Sequence, residues 1–298
     1  MIKAARYVAA SAYAFVRSRT PVWSLLNRAG TTLYQQQPPD LDPMQMAVAS
    51  GLMEDGISIT HLDEILPGSD LLSRMRERMD LREEKTKSGA RKTFLRFAWA
   101  DLSQEKPTID LDNPFMEFSL SREVLDIVNS YMATCSKLMS FDLAITNTMA
   151  DGEAPIGSQR WHRDPGMNRL IKVFVYLNDV DESGGPFMYV RQSHLGGRWR
   201  KLFPQKQFGR HGFYPPDGAI AETVPENDIA VCIGVAGTII FCDTTGLHKG
   251  GYSIAQPRIM FTSMYVAPGD LIKPLFNRPV DFDHRISTLD VVSRFAAS

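Results

Sequence analysis

The residues of this 298-residue chain best suited to chemistry lie in Gln159-Arg160-Trp161-His162-Arg163-Asp164. An imidazole and a carboxylate stand two positions apart there. On extended backbone, residues i and i+2 project to the same face. His162 and Asp164 can therefore aim at one ion while Arg163 turns away. The spacing alone is a weak signal, because the chain holds a second copy, His61-Leu62-Asp63. The two copies differ in their downstream sequence. The later motif is succeeded by His248 on another strand-like segment and by Arg258 ten residues on. Two imidazoles and one carboxylate suit a non-haem Fe(II) centre with positions left open for co-substrate and dioxygen. The planar fork of an arginine suits a carboxylate held near that metal. The earlier motif has no such partner, and Asp63, just before Glu64-Ile65-Leu66, is expected to cap a short helical turn.

These groups need a scaffold, and the pattern around them is mostly β. Short runs rich in Val, Ile, Phe and Tyr, separated by Gly/Pro turns, predict strands over 141–149, 158–164, 170–178, 187–190, 229–233, 238–242 and 258–266. Two more are expected at 57–60 and 94–99. Helices are expected over 44–53, from Ser69-Asp70 towards Lys87, and from about Ser121, where Val124, Ile127, Val128 and Tyr131 recur at helical spacing. Gln35-Gln36-Gln37-Pro38-Pro39 reads as a linker. Many short strands with a helical layer point to a sandwich or jelly roll, and no 20–50-residue repeat suggests a solenoid.

Composition narrows the class. Hydrophobic residues at 44% and charged residues at 22% describe an ordinary globular protein. A net charge of −1 lacks the electrostatic footprint of a nucleic-acid binder. Cys135, Cys232 and Cys242 are odd in number and form no CxxC, which argues against a disulfide framework or a zinc site and for a reducing, cytoplasmic compartment. No run reaches the roughly 18–20 apolar residues of a membrane span. The first 39 residues carry Lys3, Arg6, Arg17, Arg19 and Arg28 and no acid before Asp40. They read first as a packed or partner-binding helix, and next as a membrane-surface helix or a targeting segment.

The motifs taken together resemble a known family. Trp161-His162-Arg163-Asp164 is followed by Lys172-Val173-Phe174-Val175-Tyr176-Leu177-Asn178-Asp179-Val180, Gly185-Pro186-Phe187, Ser193-His194, Gly237-Thr238-Ile239-Ile240-Phe241-Cys242-Asp243, His248-Lys249-Gly250 and Arg258. This order and spacing resembles the phytanoyl-CoA dioxygenase family of Fe(II)/2-oxoglutarate oxygenases, over roughly residues 51–266. The resemblance implies a mainly β core, a double-stranded β-helix (a jelly-roll or cupin-like barrel) with flanking α-helices. Together with the charge pattern and the linker before Asp40, it divides the chain into a basic, helical segment 1–39 and a single oxygenase domain 40–298. Within that domain a helical layer covers about 44–137, a catalytic barrel about 138–270 and a C-terminal extension 271–298. It implies Fe(II) held by His162, Asp164 and His248, 2-oxoglutarate held by Arg258, and dioxygen as oxidant. Two further residues are candidates for a co-substrate carboxylate: Ser253, between His248 and Arg258, and Lys172, which shares strand parity with Leu170, Phe174 and Tyr176. His194 matches a family Ser–His, with a hydrogen-bonded structural role the expected one. Related halogenases replace the carboxylate ligand by a small residue. Here Asp164 is present, which implies hydroxylation or another oxidation of a C–H bond.

Substrate identity is less legible. Ser183 to Pro216 contains no acid but carries Arg191, Arg198, Arg200, Lys201, Lys206 and Arg210, with Trp199, Phe203, Phe208, Phe213 and Tyr214 among them. Such a lid admits an anionic small molecule, an acyl-CoA, phosphate or carrier-bound acid. It equally reads as a solvated basic stretch balanced by Asp217, Glu222, Glu226 and Asp228. Two other functions stay open: a cupin-like metalloenzyme that does not use 2-oxoglutarate, and a non-catalytic binding or scaffold protein on the same fold.

Overall fold

The computed structural model describes residues 20–86, 94–97, 109–149, 154–155, 157–164, 169–204, 214–270 and 274–298. Nine strands are among them: β1 (Ile57–His61), β2 (Phe94–Phe97), β3 (Lys137–Thr146), β4 (Leu170–Tyr176), β5 (Phe187–Val190), β6 (Ile229–Cys232), β7 (Thr238–Asp243), β8 (His248–Gly250) and β9 (Arg258–Val266). They form two antiparallel sheets. The larger runs β1-β7-β4-β9-β3-β2 and the smaller β6-β5-β8.

Strand parity in β4 shows how the layers assemble. Leu170-Ile-Lys-Val-Phe-Val-Tyr176 is β-branched or aromatic at nearly every position, the composition of a strand covered on both faces. Ile171, Val173 and Val175 turn to one side, where they join Phe241 and Phe261 against the helices. Those helices supply Leu52, Phe115, Val124, Ile127 and Val128 to the same core. Phe174 and Tyr176 turn to the other side, towards Phe187, Tyr189, Ala230 and Cys232 of the smaller sheet. The larger sheet is thus sandwiched. Its helical face is the thicker core: fully buried Phe261 meets Phe115 at 4.7 Å and Phe118 edge-on at 6.3 Å between ring centroids. Truncating such a side chain costs about 3–5 kcal/mol.

Several boundaries differ from expectation. The stretch expected as a strand over 158–164 is instead a 3-10 turn, Gly157–Gln159, followed by a single antiparallel bridge, His162 to His248. The expected linker is helical through Gln36, because Leu33 and Tyr34 pack on the core; Pro38-Pro39 then follow. Before it, helix Thr20–Leu26 leads into Asn27, whose Oδ1 accepts the Gly269 N–H at 2.7 Å. The second half of the basic segment therefore lies against the domain, while its first 19 residues, also read as helical, fall outside the described residues, as do 98–99 of the strand over 94–99 and Lys87. Asp63 does not cap its turn. His61 is the N-cap of helix Leu62–Ile65, its Nδ1 accepting the Asp63 N–H, while Glu64 reaches back to the His61 N–H at 3.0 Å. Glu64 sits at the third helical position, where a side chain can return to the cap; Asp63 is one residue too early. No helix among the described residues is long and apolar enough to cross a membrane.

Candidate active site

The bridge between His162 and His248 is the seed of the site. Their backbones exchange both hydrogen bonds, His162 N–H to His248 O and the reverse, each 2.9 Å. In such a pair the two side chains lie on one face, and the imidazole centroids are 4.2 Å apart. Asp164 is placed by its own backbone bond, N–H to Thr244 O at 2.9 Å, which brings its carboxylate under both rings. Asp164 Oδ1 lies 3.8 Å from His162 Nε2 and Oδ2 lies 3.8 Å from His248 Nε2. The three ligand atoms fall within 4.8 Å of one another. Strand parity points to His162 and Asp164; the structure joins them to His248 by a cross-strand bridge.

The tautomers are set by the backbone. His162 Nδ1 faces Arg160 O at 2.8 Å and His248 Nδ1 faces Gly246 O at 2.9 Å. A carbonyl only accepts, so each Nδ1 carries the proton and each Nε2 presents a lone pair. This is the arrangement by which metal-binding histidines are oriented. Burial keeps both rings neutral: it lowers the His162 pKa and, with the neighbouring imidazole, pushes His248 down to about 3. Burial also pushes the Asp164 carboxyl up, but the Lys172 ammonium and His248 outweigh it and hold the group well below the ordinary carboxylate range. Two neutral nitrogens and one carboxylate, converging at the edge of a cavity, fit a divalent metal with open positions.

That cavity has a volume of about 310 Å³ and draws its walls from both sheets. His162, His248 and Lys172 line it, with Phe174, Phe187, Met260 and Met264 as apolar wall. Arg258, the first residue of β9, enters the same cavity and is 3% exposed. It donates through Nη1 to Gly185 O and through Nη2 to Thr146 Oγ1 at 3.3 Å, while its buried Nε has no partner. A Cβ on Gly250 would come within 2.9 Å of Nη2, so any larger residue there would push the fork from its place. Gly185 takes a positive φ of 69° to turn its carbonyl. Arg258 carries a charge that burial disfavours, with no carboxylate among its bonds; a carboxylate ligand would supply one.

The other candidates sort unevenly. Lys172 Nζ is 2.6 Å from Asp164 Oδ2. Ser253 is fully buried, but its hydroxyl donates to Gln256 O and it is not among the lining residues of the cavity. His194 holds Met53 O at 3.3 Å, outside the cavity. Of the basic stretch, Arg191 pairs with Asp55 at 2.8 Å and Arg198 with Asp228, while Trp199 Nε1 donates to Asp228 at 3.0 Å. Part of its charge is thus balanced within the chain, and Asp55 is a partner the sequence does not suggest. Lys206, Phe208, Arg210 and Phe213 lie outside the described residues.

Arg163 does more than turn away from the ligands. It is 8% exposed, and its guanidinium donates to the carbonyls of Ser193, Thr245, Leu202, Trp199 and Phe203. It thereby ties the segment that carries His162 and Asp164 both to the loop leading into His248 and to the loop over 193–203. A long cation between two ligands is the only trace of this role in the sequence.

No known protein-family model matches this chain, and no curated protein sequence does. Its fold, however, is shared with solved structures. The chain is similar to the epimerase SnoN in complex with Fe3+, alpha ketoglutarate and nogalamycin RO (TM-score 0.54, 16% identity, 76% of this chain and 84% of that one). It is similar to EctD from S. alaskensis with 2-oxoglutarate and 5-hydroxyectoine (0.51, 16%, 82% and 88%). A third is HygX from Streptomyces hygroscopicus with nickel and 2-oxoglutarate bound (0.50, 13%, 79% and 90%). At such low identity these likenesses speak for the fold.

Proposed function

We propose that this chain is an Fe(II)- and 2-oxoglutarate-dependent dioxygenase on a double-stranded β-helix, of the phytanoyl-CoA dioxygenase type, oxidising a C–H bond of a small organic substrate. The single observation that carries this reading is that His162 and His248 line one cavity with Arg258, while Asp164 stands within ligand distance of both imidazoles. That fold neighbours were solved with iron or nickel and 2-oxoglutarate supports the same pair of ligands here.

His162, Asp164 and His248 would hold the metal through Nε2, a carboxylate oxygen and Nε2. Arg258 would grip the co-substrate's far carboxylate in a charge-assisted fork. Bound Fe(II), with 2-oxoglutarate and dioxygen, supplies the oxidising power for the C–H bond, and the co-substrate leaves as succinate and carbon dioxide. The chain's own share is orientation and exclusion of water. Phe174, Phe187, Met260 and Met264 give the cavity a dry wall on which an apolar part of the substrate can rest. The Nδ1 bonds to Arg160 and Gly246 keep both imidazoles from rotating.

The test is succinate release from 2-oxoglutarate by the iron-loaded protein in air. Release that needs both iron and oxygen, and that stops in His162→Ala or Asp164→Ala, sustains the reading. Activity retained in a metal-loaded variant of either residue would sink it. Iron bound with no succinate formed would favour the cupin-like alternative.

A further inference from the structure

Among the charged groups of the cavity, Lys172 holds an unusual place. Parity on β4, between Leu170 and Phe174, and pairing to Cys242 on one side and Met264 on the other fix it in the cavity wall. Its Nζ sits 2.6 Å from Asp164 Oδ2, the oxygen that His248 Nε2 also approaches, at 3.8 Å. Among the described residues Asp164 is its one ion-pair partner, and the side chain is 22% exposed. The other charged groups of the wall are Arg258, a like charge, and Asp142. Asp142 is itself engaged and lies on β3, with β9 between it and β4.

A divalent cation at the triad draws on the same Asp164 carboxylate that Lys172 holds through Oδ2, and a carboxylate shared with the ion no longer balances the ammonium. Counting charges shows the consequence. Without metal, Asp164 and Lys172 cancel. With metal and a dicarboxylate, two positive charges on the ion are offset by Asp164 and the near carboxylate, and Arg258 is offset by the far one. Lys172 is then one cation in surplus beside a metal ion, in a site where an unpaired charge is costly. A carboxylate at Nζ removes the surplus.

We propose that Lys172 is an exchangeable counter-ion: it holds Asp164 while the metal is away and, once metal takes that carboxylate, binds a carboxylate of the molecule in the cavity. Metal and anion affinities are thereby coupled, and by linkage the coupling is the same in both directions. The proposal rests on the reading of the triad as a metal site, and on nothing about turnover.

The experiment is zinc binding by calorimetry to the full-length protein at fixed pH and ionic strength. It is run without anion, with 2-oxoglutarate, and with acetate added to protein saturated in 2-oxoglutarate. Anion should tighten zinc on the order of tenfold in the wild type, within the usual range of coupling between sites. Lys172→Met should bind zinc alone more tightly than wild type, because Asp164 is no longer engaged, and should lose on the order of tenfold of the coupling. Lys172→Arg, which keeps the charge, should retain it, and Lys172→Gln reads the same loss should the methionine variant fold poorly. Loss of the acetate effect alone assigns a further, substrate carboxylate to Lys172, as the charge count requires; loss of the 2-oxoglutarate effect as well means that Lys172 shares a co-substrate carboxylate with the metal or with Arg258. Folded Lys172 variants with wild-type zinc affinity and both couplings intact would overturn the proposal. A wild-type chain that binds no zinc would take down the metal reading as well, so the two failures are told apart.

Discussion

At His61-Leu62-Asp63 the imidazole Nδ1 accepts the Asp63 N–H at 3.3 Å, and Nε2 faces Ala236 O at 3.0 Å. At His162-Arg163-Asp164 the imidazole Nδ1 instead faces a carbonyl, Arg160 O, and Nε2 is turned to Asp164 and across to His248. Both motifs have the same two residue types at the same spacing. The difference lies in which nitrogen the backbone claims. An Nδ1 that accepts an amide leaves the proton on Nε2, which then donates to Ala236 O, and no lone pair remains for a metal. An Nδ1 that donates leaves Nε2 free to ligate. Asp63 is largely exposed, whereas Asp164 is 13% exposed and paired with Lys172. One motif caps the start of a helix and the other faces a cavity.

The strongest way to break this comparison is to delete ligands in each motif. His162→Ala and Asp164→Ala should abolish iron binding and succinate release, while His61→Ala and Asp63→Ala should leave one iron per chain and near-normal rates; metal analysis after desalting decides it. Arg163→Ala comes next. It strips five carbonyls of their donor and should cost about 3–5 kcal/mol in urea unfolding: about 1 kcal/mol per net hydrogen bond, partly offset because a buried guanidinium no longer has to be desolvated. It should also weaken metal binding by roughly 10–100-fold, the usual effect of losing a group that orients ligands. A pH series on the metal-free protein sharpens the contrast further. Burial holds the folded His248 at about 3, below its ordinary 6.5, so the unfolded chain takes the proton first. Stability should be full above pH 6.5 and fall as pH drops towards 3, with a slope approaching about 1.4 kcal/mol per pH unit from this residue. His248→Gln should flatten that part of the profile. The smallest effect is expected at the earlier motif: Glu64→Ala removes half of a capping box and should cost about 1 kcal/mol in thermal or urea unfolding, with metal content unchanged.

Much of this is legible in the residues. The β-branched and aromatic run at Leu170–Tyr176 marks a strand covered on both faces, and Arg258–Val266 has the extent its pattern predicts. The order His162, Asp164, His248, Arg258 already singles out the triad and the arginine that shares a cavity with its two imidazoles. The features hidden from the sequence depend on long-range backbone partners. The stretch before His162 is not a strand, because its neighbour β8 is only three residues long and pairs with it at a single bridge. Ser253 has the right position in the chain for the pocket, yet Gln256 O claims its hydroxyl. The basic stretch reads as open to an anion, but Asp55, over a hundred residues earlier, is the partner of Arg191. Arg163 gives no periodic or motif signal, since carbonyl acceptors leave no trace in side-chain identity.

Whether His162, Asp164, His248 and Arg258 form one metal and co-substrate site is decided by anaerobic titration of the Fe(II)-loaded protein with 2-oxoglutarate, followed by its weak visible charge-transfer band. The band should saturate at one equivalent, be unchanged in His61→Ala, weaken in Arg258→Ala and be lost with the iron in His248→Ala. A band indifferent to Arg258, or iron retained and titratable in His248→Ala, would contradict a single site.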